Sequence, residues 1–412
     1  MPLTIREATI LKTLAQQYAE IAALPAQAER RNRWLKLNRL QMERPMVMID
    51  QVCWNEMDVD GSLKNQVEDP YWQGVESALR QEIYRWRHMP ADRVVNPYIT
   101  LPRPLRNSGF GLAGEWDELQ LDRTSDVISK SIHNQIHGFE DLEKIKMPEV
   151  TLNAAKEADI VQEARRLFDG IIPFKLTGQC MSLGLWDTIS FWMGVEACYT
   201  ELMDRPELMH ALMEKLTQGW ISQIEQMNRL GLFDIYSNIC HCSHIFSDDL
   251  PPATCDWDHP TSHDAWAFGL AQLFTAVSPA ITDEFEVTYM QRIFPYFGAI
   301  YYGCCDRLDD RLDVIAKLPK IRKISCSPWS DPNRFAANLP KRYIMSAKPT
   351  PAYLATDTFD EAIVRADLRR TIAAAKAHDL GLEFLLKDIS TVRYDPRRLW
   401  RWNEIALEEV ER

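Results

Sequence analysis

The chain has 412 residues, with 47 Lys and Arg against 59 Asp and Glu, for a formal net charge of −12. Its content of 46% hydrophobic and 26% charged residues is that of a folded globular protein, which excludes a disordered or fibrous chain. The acidic balance argues against a nucleic acid or an anionic membrane as partner, since either would require a basic face. A small anionic molecule met by a few local Lys and Arg stays open. Domains run to roughly 100–200 residues, so the length suits two domains or one large barrel with insertions. The nine Cys are odd in number and scattered, a usage that points to a reducing, cytoplasmic setting. The N-terminal stretch is interrupted by charge from Arg6 onward, unlike a signal peptide. No run reaches the roughly 18 apolar residues of a membrane span.

In chain order, residues 5–43 read as helices. Leu11, Leu14, Tyr18, Ile21 and Leu35 recur at helical spacing, and Pro25 separates two helices. Residues 1–44 are therefore expected to form a helical N-terminal extension, with 45–412 as the main domain. After Pro45, short apolar runs alternate with helical stretches. The predicted strands are Met46–Asp50, Asn96–Leu101, Pro173–Thr177, Phe233–Asn238, Ala299–Gly303, Ile321–Cys326, Arg342–Ser346 and Glu383–Asp388. Predicted helices over Asp306–Leu318, Asp331–Leu339, Thr358–His378 and Pro396–Val410 follow the last four strands.

Eight strands, most of them feeding a helix, is the count of a (β/α)8 TIM barrel, an α/β fold whose active site lies in the loops after the strands. Runs such as Met46–Ile49 suit strands buried on both faces. The first four strands are widely spaced, which leaves room for long insertions, expected to fold over the barrel mouth as a lid. No GxGxxG or GxxxxGK[ST] motif follows a strand, so dinucleotide and P-loop chemistry lack their fingerprint.

The strand ends are rich in groups that carry chemistry. Cys240-His241-Cys242-Ser243-His244 follows the fourth strand and is the densest metal-capable cluster in the chain. Thiolate and imidazole are zinc ligands. Cys304 and Cys305 end the fifth strand, where a thiolate could bind a metal or act as a nucleophile. Asp50, Asp306 and Asp388 are candidate general acids, bases or ligands; a helix cap is the plainer role for Asp306. Trp54, Gln179, Asn238, Lys348 and Arg393 lie at or near strand ends, as candidates for substrate contact.

The segment Gly170–Gly231 resembles the middle of uroporphyrinogen decarboxylase-like proteins. Pro173-Phe174-Lys175-Leu176-Thr177-Gly178 stands for their P-x-x-x-x-G strand end, and Asp204-Arg205-Pro206-Glu207-Leu208-Met209-His210 for their D-x-P-E-x-x-H helix. Gly231–Ile235, Ser278-Pro279 and Asp283-Glu284-Phe285 continue the likeness, which spans roughly residues 45–405. The resemblance implies a (β/α)8 barrel and one of two chemistries. Decarboxylases of the superfamily carry R-Q-A-G-R-Y after the first strand; here the place reads Asp50-Gln51-Val52-Cys53-Trp54-Asn55-Glu56, without either arginine. The other branch, corrinoid-dependent methyltransferases and cobalamin-independent methionine synthase relatives, holds Zn²⁺ with H-x-C and a later Cys. Here these places read Tyr302-Gly303-Cys304 and, near the last strand, Asp388.

The resemblance therefore implies a methyltransferase acting between a small substrate and a corrinoid cofactor or corrinoid protein. Zn²⁺, if bound, would be held by Cys304 with His241, Cys242 or His244, and Tyr302 would stand nearby as a proton donor. Two alternatives are a decarboxylase or lyase with Lys348 and Arg393 as anion contacts, and a non-catalytic barrel that sequesters a corrinoid or tetrapyrrole. The helical arm, if its apolar stripe is not covered by its own barrel, implies a homodimer.

Overall fold

The computed structural model describes residues 3–121, 123 and 128–412. Helix α1 (Ile5–Ala22) starts at a capping box in which Thr4 and Glu7 satisfy each other's backbone N–H groups. Its apolar stripe, Leu11, Leu14 and Ala15, packs with Trp72, Val75 and Leu79 of α3 (Pro70–His88) and with Leu167 and Phe168 of α4 (Ala154–Phe168). Helix α2 (Pro25–Asn38) has its proline at the first turn, where no backbone donor is lost. It buries Trp34 and Leu37 completely, and the Trp34 indole donates to Asp92 O at 2.8 Å. The arm thus covers this apolar stripe on its own chain.

The centre is a parallel sheet of seven strands. β1 (Met46–Ile49) pairs with β9 (Leu382–Leu386), followed in space by β8 (Ile344–Ala347), β7 (Ile321–Cys326), β6 (Ala299–Tyr302), β5 (Trp266–Gly269) and β4 (Ser182–Leu183). β2 (Ile99–Pro102) and β3 (Phe174–Thr177) form a separate parallel pair. Among the described residues, the ladders join seven parallel strands and none links β1 to β4. Met46–Ile49 and Leu382–Leu386 are buried at every position, as both faces of a helix-covered parallel sheet require.

Two departures from the predicted strands have local causes. Phe233–Asn238 keeps only a single bridge, Phe233 to Gln179. Asp234 Oδ1 accepts from the backbone N–H groups of Tyr236 and Ser237, an Asx turn that draws the chain off the ladder. Asn238 then sits at φ +56°. Two strands of the sheet, Trp266–Gly269 and Ser182–Leu183, lie outside the predicted set; the first is four buried residues inside a stretch expected to be insertion. The later helices form close to expectation, at Pro332–Asn338, Glu361–Ala377 and Arg397–Val410, but Asp306–Leu318 shrinks to Leu312–Ile315.

Gly178, just beyond β3, shows how tightly the pieces meet. A Cβ there would lie 2.0 Å from Leu232 O, whose hydrogen bond from Gln179 N joins the two segments. Because the obstacle is backbone, it cannot swing aside as a side chain would. Gly178→Ala is expected to destabilise the fold by at least the ~1–3 kcal/mol of ordinary overpacking, read as a lowered urea midpoint.

Candidate functional site

A cleft of about 830 Å³ opens at the C-terminal ends of the sheet strands. Gln51, which follows β1, lines it with Ser182 of β4, Phe268 of β5, Cys304 and Cys305 after β6, and Lys387 and Asp388 after β9. Helix α5 (Leu185–Met193) contributes Asp187, Ser190 and Phe191, and α6 (Val195–Asp204) contributes Val195 and Tyr199. The volume falls within the ~300–1,000 Å³ of small-molecule sites. The insertion after β2 reaches this rim: Gln135 N donates to Trp192 O, and the Lys130 ammonium lies 5.9 Å from the Phe191 ring centroid.

Gly303, at φ +87°, turns the chain at the end of β6 and breaks the strand's alternation. Cys304 thereby comes to the mouth, its Sγ 3.6 Å from Cys305 Sγ and 3.5 Å from Lys387 Nζ. The Cys304 thiol is lowered to about 7, first by the hydrogen bond from Cys305 and then, against burial, by the ammonium groups of Lys348 and Lys387. Cys305 is pushed up, since it keeps the proton of the pair. Cys304 is therefore expected to be the first of the nine cysteines alkylated by iodoacetamide. Its rate should rise with pH through about 7 and then level off, as peptide mass mapping would show.

A second cluster is acidic. Asp187, on the cleft wall, is raised to about 7 by burial, then by Asp306 and Cys304. Glu286, fully buried, is raised by burial, and Asp187 and Asp306 add to this; its one hydrogen bond runs from Tyr302 at 3.2 Å. It sits in a π-helical turn, Asp283–Val287, a distortion frequent at functional sites. Asp306 Oδ1 accepts from Cys304 N at 2.6 Å, while Asp306 Oδ2 and Glu286 Oε2 are buried without a partner. Three carboxyl groups in mutual repulsion favour the protonated form.

The hairpin Ile239–His244 supplies the third part. His241, at φ +45°, stacks on Phe268 with ring centroids 3.6 Å apart, and its Nε2 has no partner. Burial, then Lys348 and Lys387, keep the imidazole neutral.

The structure reassigns several residues. Tyr302 follows the strand alternation to the outer face, onto Glu286, away from the cleft; Tyr301 faces inward and bonds Ser346 and Lys348. His244 is a core histidine: Nε2 accepts from Val94 N at 2.9 Å, and Nδ1 donates to Asn238 O at 3.1 Å. With both nitrogens engaged, it is no metal ligand. The Cys242 thiol is buried and pushed up to about 12 by burial and then by Asp50. Asp50 keeps its proton off, because Arg93 and Arg85, each 3.5 Å away, outweigh its burial; this removes it as a proton donor. Trp54 lies beneath Arg85, its ring centroid 4.8 Å from the guanidinium. Asn238 bonds Tyr98 and lines a separate cleft with Arg31 and Lys175. Lys348 is buried behind the mouth, its Nζ 2.5 Å from Ser325 Oγ. Arg393 pairs with Asp357 at 3.1 Å on the exposed surface, and neither Gln179, Trp54, Asn238 nor Arg393 lines the cleft.

Among the described residues, Cys304, Cys305 and Asp388 are the one group whose donor atoms could converge on a metal, all within 4.8 Å of one another. Their chemistry suits zinc, but Lys387 Nζ already contacts Cys304 Sγ and, at 2.5 Å, Asp388 Oδ2. As the side chains stand, a divalent ion does not fit beside that ammonium.

Asp187, Glu286, Phe268 and Lys387 were absent from the residues chosen on sequence. Lys387 had a signal, as the neighbour of Asp388 at a strand end; the buried carboxyls had none.

No protein-family model matches the chain, and no curated protein sequence matches it. Among solved structures, the fold is similar to that of a methyltransferase from Methanosarcina mazei, at 10% sequence identity and a TM-score of 0.51. The match covers 92% of this chain and 98% of that one. At this identity the likeness establishes a shared α/β architecture. No helix among the described residues is long and apolar enough to cross a membrane.

Proposed function

We propose that the protein is a methyltransferase that moves a methyl group from a small methylated substrate to a corrinoid acceptor carried by a partner protein. The observation that carries the reading is the cleft at the strand ends, which joins a carboxyl group titrating near neutrality, Asp187, to the Cys304–Lys387 pair. The likeness in fold to a protein described as a methyltransferase supports the same reading. On this reading the sheet belongs to a (β/α)8 barrel, with β2, β3 and the hairpin Ile239–His244 filling the arc between β1 and β4.

A methyl group bound to oxygen or nitrogen leaves only if its heteroatom is protonated or already cationic. Asp187 supplies that proton, and Asp306 and Glu286 behind it keep the proton in place. His241, neutral and with a free ring nitrogen, orients a polar group of the substrate. Phe268, Leu270, Leu273 and Val195 keep the methyl group out of water. The corrinoid would supply the nucleophile for the methyl group.

The test is turnover. Purified protein, a reduced corrinoid and a panel of methyl ethers and methylamines are followed by the corrinoid's visible spectrum. Methylation that depends on the protein and falls with Asp187→Asn supports the reading. A spectrum unchanged across both substrate classes rejects it.

A further inference from the structure

The residue that holds the Cys304 thiolate is also what excludes a metal. Lys387 is 3% exposed, and its Nζ lies 3.5 Å from Cys304 Sγ and 2.5 Å from Asp388 Oδ2. Cys305 Sγ completes the set, 3.2 Å from Asp388 Oδ2 and 3.6 Å from Cys304 Sγ. The S···S separation is close to the edge of about 3.8 Å expected for two thiolates sharing a tetrahedral zinc, and the S···O separation is about 0.3 Å shorter than the corresponding edge of about 3.5 Å, with Zn–S near 2.3 Å and Zn–O near 2.0 Å.

The three donors, all within 4.8 Å of one another, are close enough to converge on one ion, while the charge that satisfies them is an ammonium. A divalent ion among these donors would meet the Lys387 charge at only a few ångströms in a poorly solvated place, where like charges repel strongly. Lys387 is buried at the end of β9, where it lines the floor of the cleft beside Cys304 and Asp388. Lys348, also buried, adds a second positive charge next to Cys304, fixed by Tyr301 at 3.0 Å and Ser325 at 2.5 Å.

We propose that Lys387 is the resident cation of a latent zinc site: its ammonium takes the place of the metal between Cys304 and Asp388, and removing it opens a site for Zn²⁺ on Cys304, Cys305 and Asp388. The inference goes beyond the methyl-transfer reading and does not depend on it, because its test reads metal content and thiol accessibility and no turnover.

Wild-type protein, Lys387→Met, Lys387→Gln and Lys387→Met/Cys304→Ser are equilibrated with zinc, desalted and analysed for metal. The wild type is expected to retain less than about 0.1 equivalent and each single variant about one equivalent, lost again with Cys304→Ser. In parallel, alkylation of wild-type Cys304 by iodoacetamide is timed with and without a chelator. Equal rates are expected, since no metal covers the sulfur. Wild-type protein that retains about one equivalent of zinc and whose Cys304 is unmasked by the chelator overturns the proposal. So do folded Lys387 variants, as judged by circular dichroism, that take up no zinc. If neither variant folds, the chelator comparison on the wild type decides alone.

Discussion

If the protein transfers methyl groups as proposed, Asp187→Asn is expected to lower the rate by ~10²–10⁴-fold, the usual worth of one general acid. The substitution keeps the shape and the hydrogen-bonding reach of the side chain but removes the proton that can be given away. Asp187 is raised to about 7, first by burial and then by the charges of Asp306 and Cys304. An acid acts in its protonated form, so wild-type activity should fall as the pH rises through about 7. In Asp187→Asn this alkaline decline should vanish while the residual rate stays flat, and KM should change less than kcat. A variant that lost activity but kept the same alkaline limb would assign the proton to another group, with Glu286 or Asp306 the next to test.

The second large effect concerns stability. Lys323 and Glu383 are both fully buried in the sheet, Nζ to Oε2 at 2.6 Å. Lys323 also donates to Ser243 Oγ at 2.7 Å and to His244 O at 3.0 Å, so the pair pins the hairpin that carries His241. Glu383 accepts in turn from Ser346, which accepts from Tyr301, which accepts from Lys348. Lys323→Met leaves a carboxylate buried without its counter-charge and is expected to cost about 3–5 kcal/mol. Lys323→Met/Glu383→Leu removes both charges and should regain a large part of that loss, since a buried pair replaced by apolar groups is often neutral. Urea denaturation of the wild type and the two variants measures both values. A single variant as stable as the wild type would show that the pair contributes nothing to the fold.

The parallel α/β architecture was legible because its signal is local. Met46–Ile49, Ala299–Tyr302 and Ile344–Ala347 are short runs of apolar or small residues, Ile321–Cys326 and Leu382–Leu386 are largely apolar runs interrupted by Arg322, Lys323 and Glu383, and all five form strands of one sheet. Where a local polar group competes with the ladder, the pattern misleads. Asp234 turns the chain at Phe233–Asn238, and four buried residues at Trp266–Gly269 are too short a run to stand out from the long segment around them.

Cys304 and Asp388 could be chosen on sequence because both lie where a strand meets its loop, and the structure brings them to one cleft. Which way a side chain points, and what neutralises it, depends on contacts far apart in the chain. Tyr302 was read as facing the mouth, but the register of β6 places it on Glu286. His244 looked like a ligand, but Val94 and Asn238 occupy both its nitrogens. Asp187, Glu286 and Asp306 come from three separate elements, and nothing in any of them alone marks it as acid-raising. Sequence determined the α/β class, the strand ends and the stock of thiols and carboxyls there. Tertiary structure alone decided which of them are ionised, because desolvation and charge pairing act through space over a few ångströms, whatever the separation along the chain.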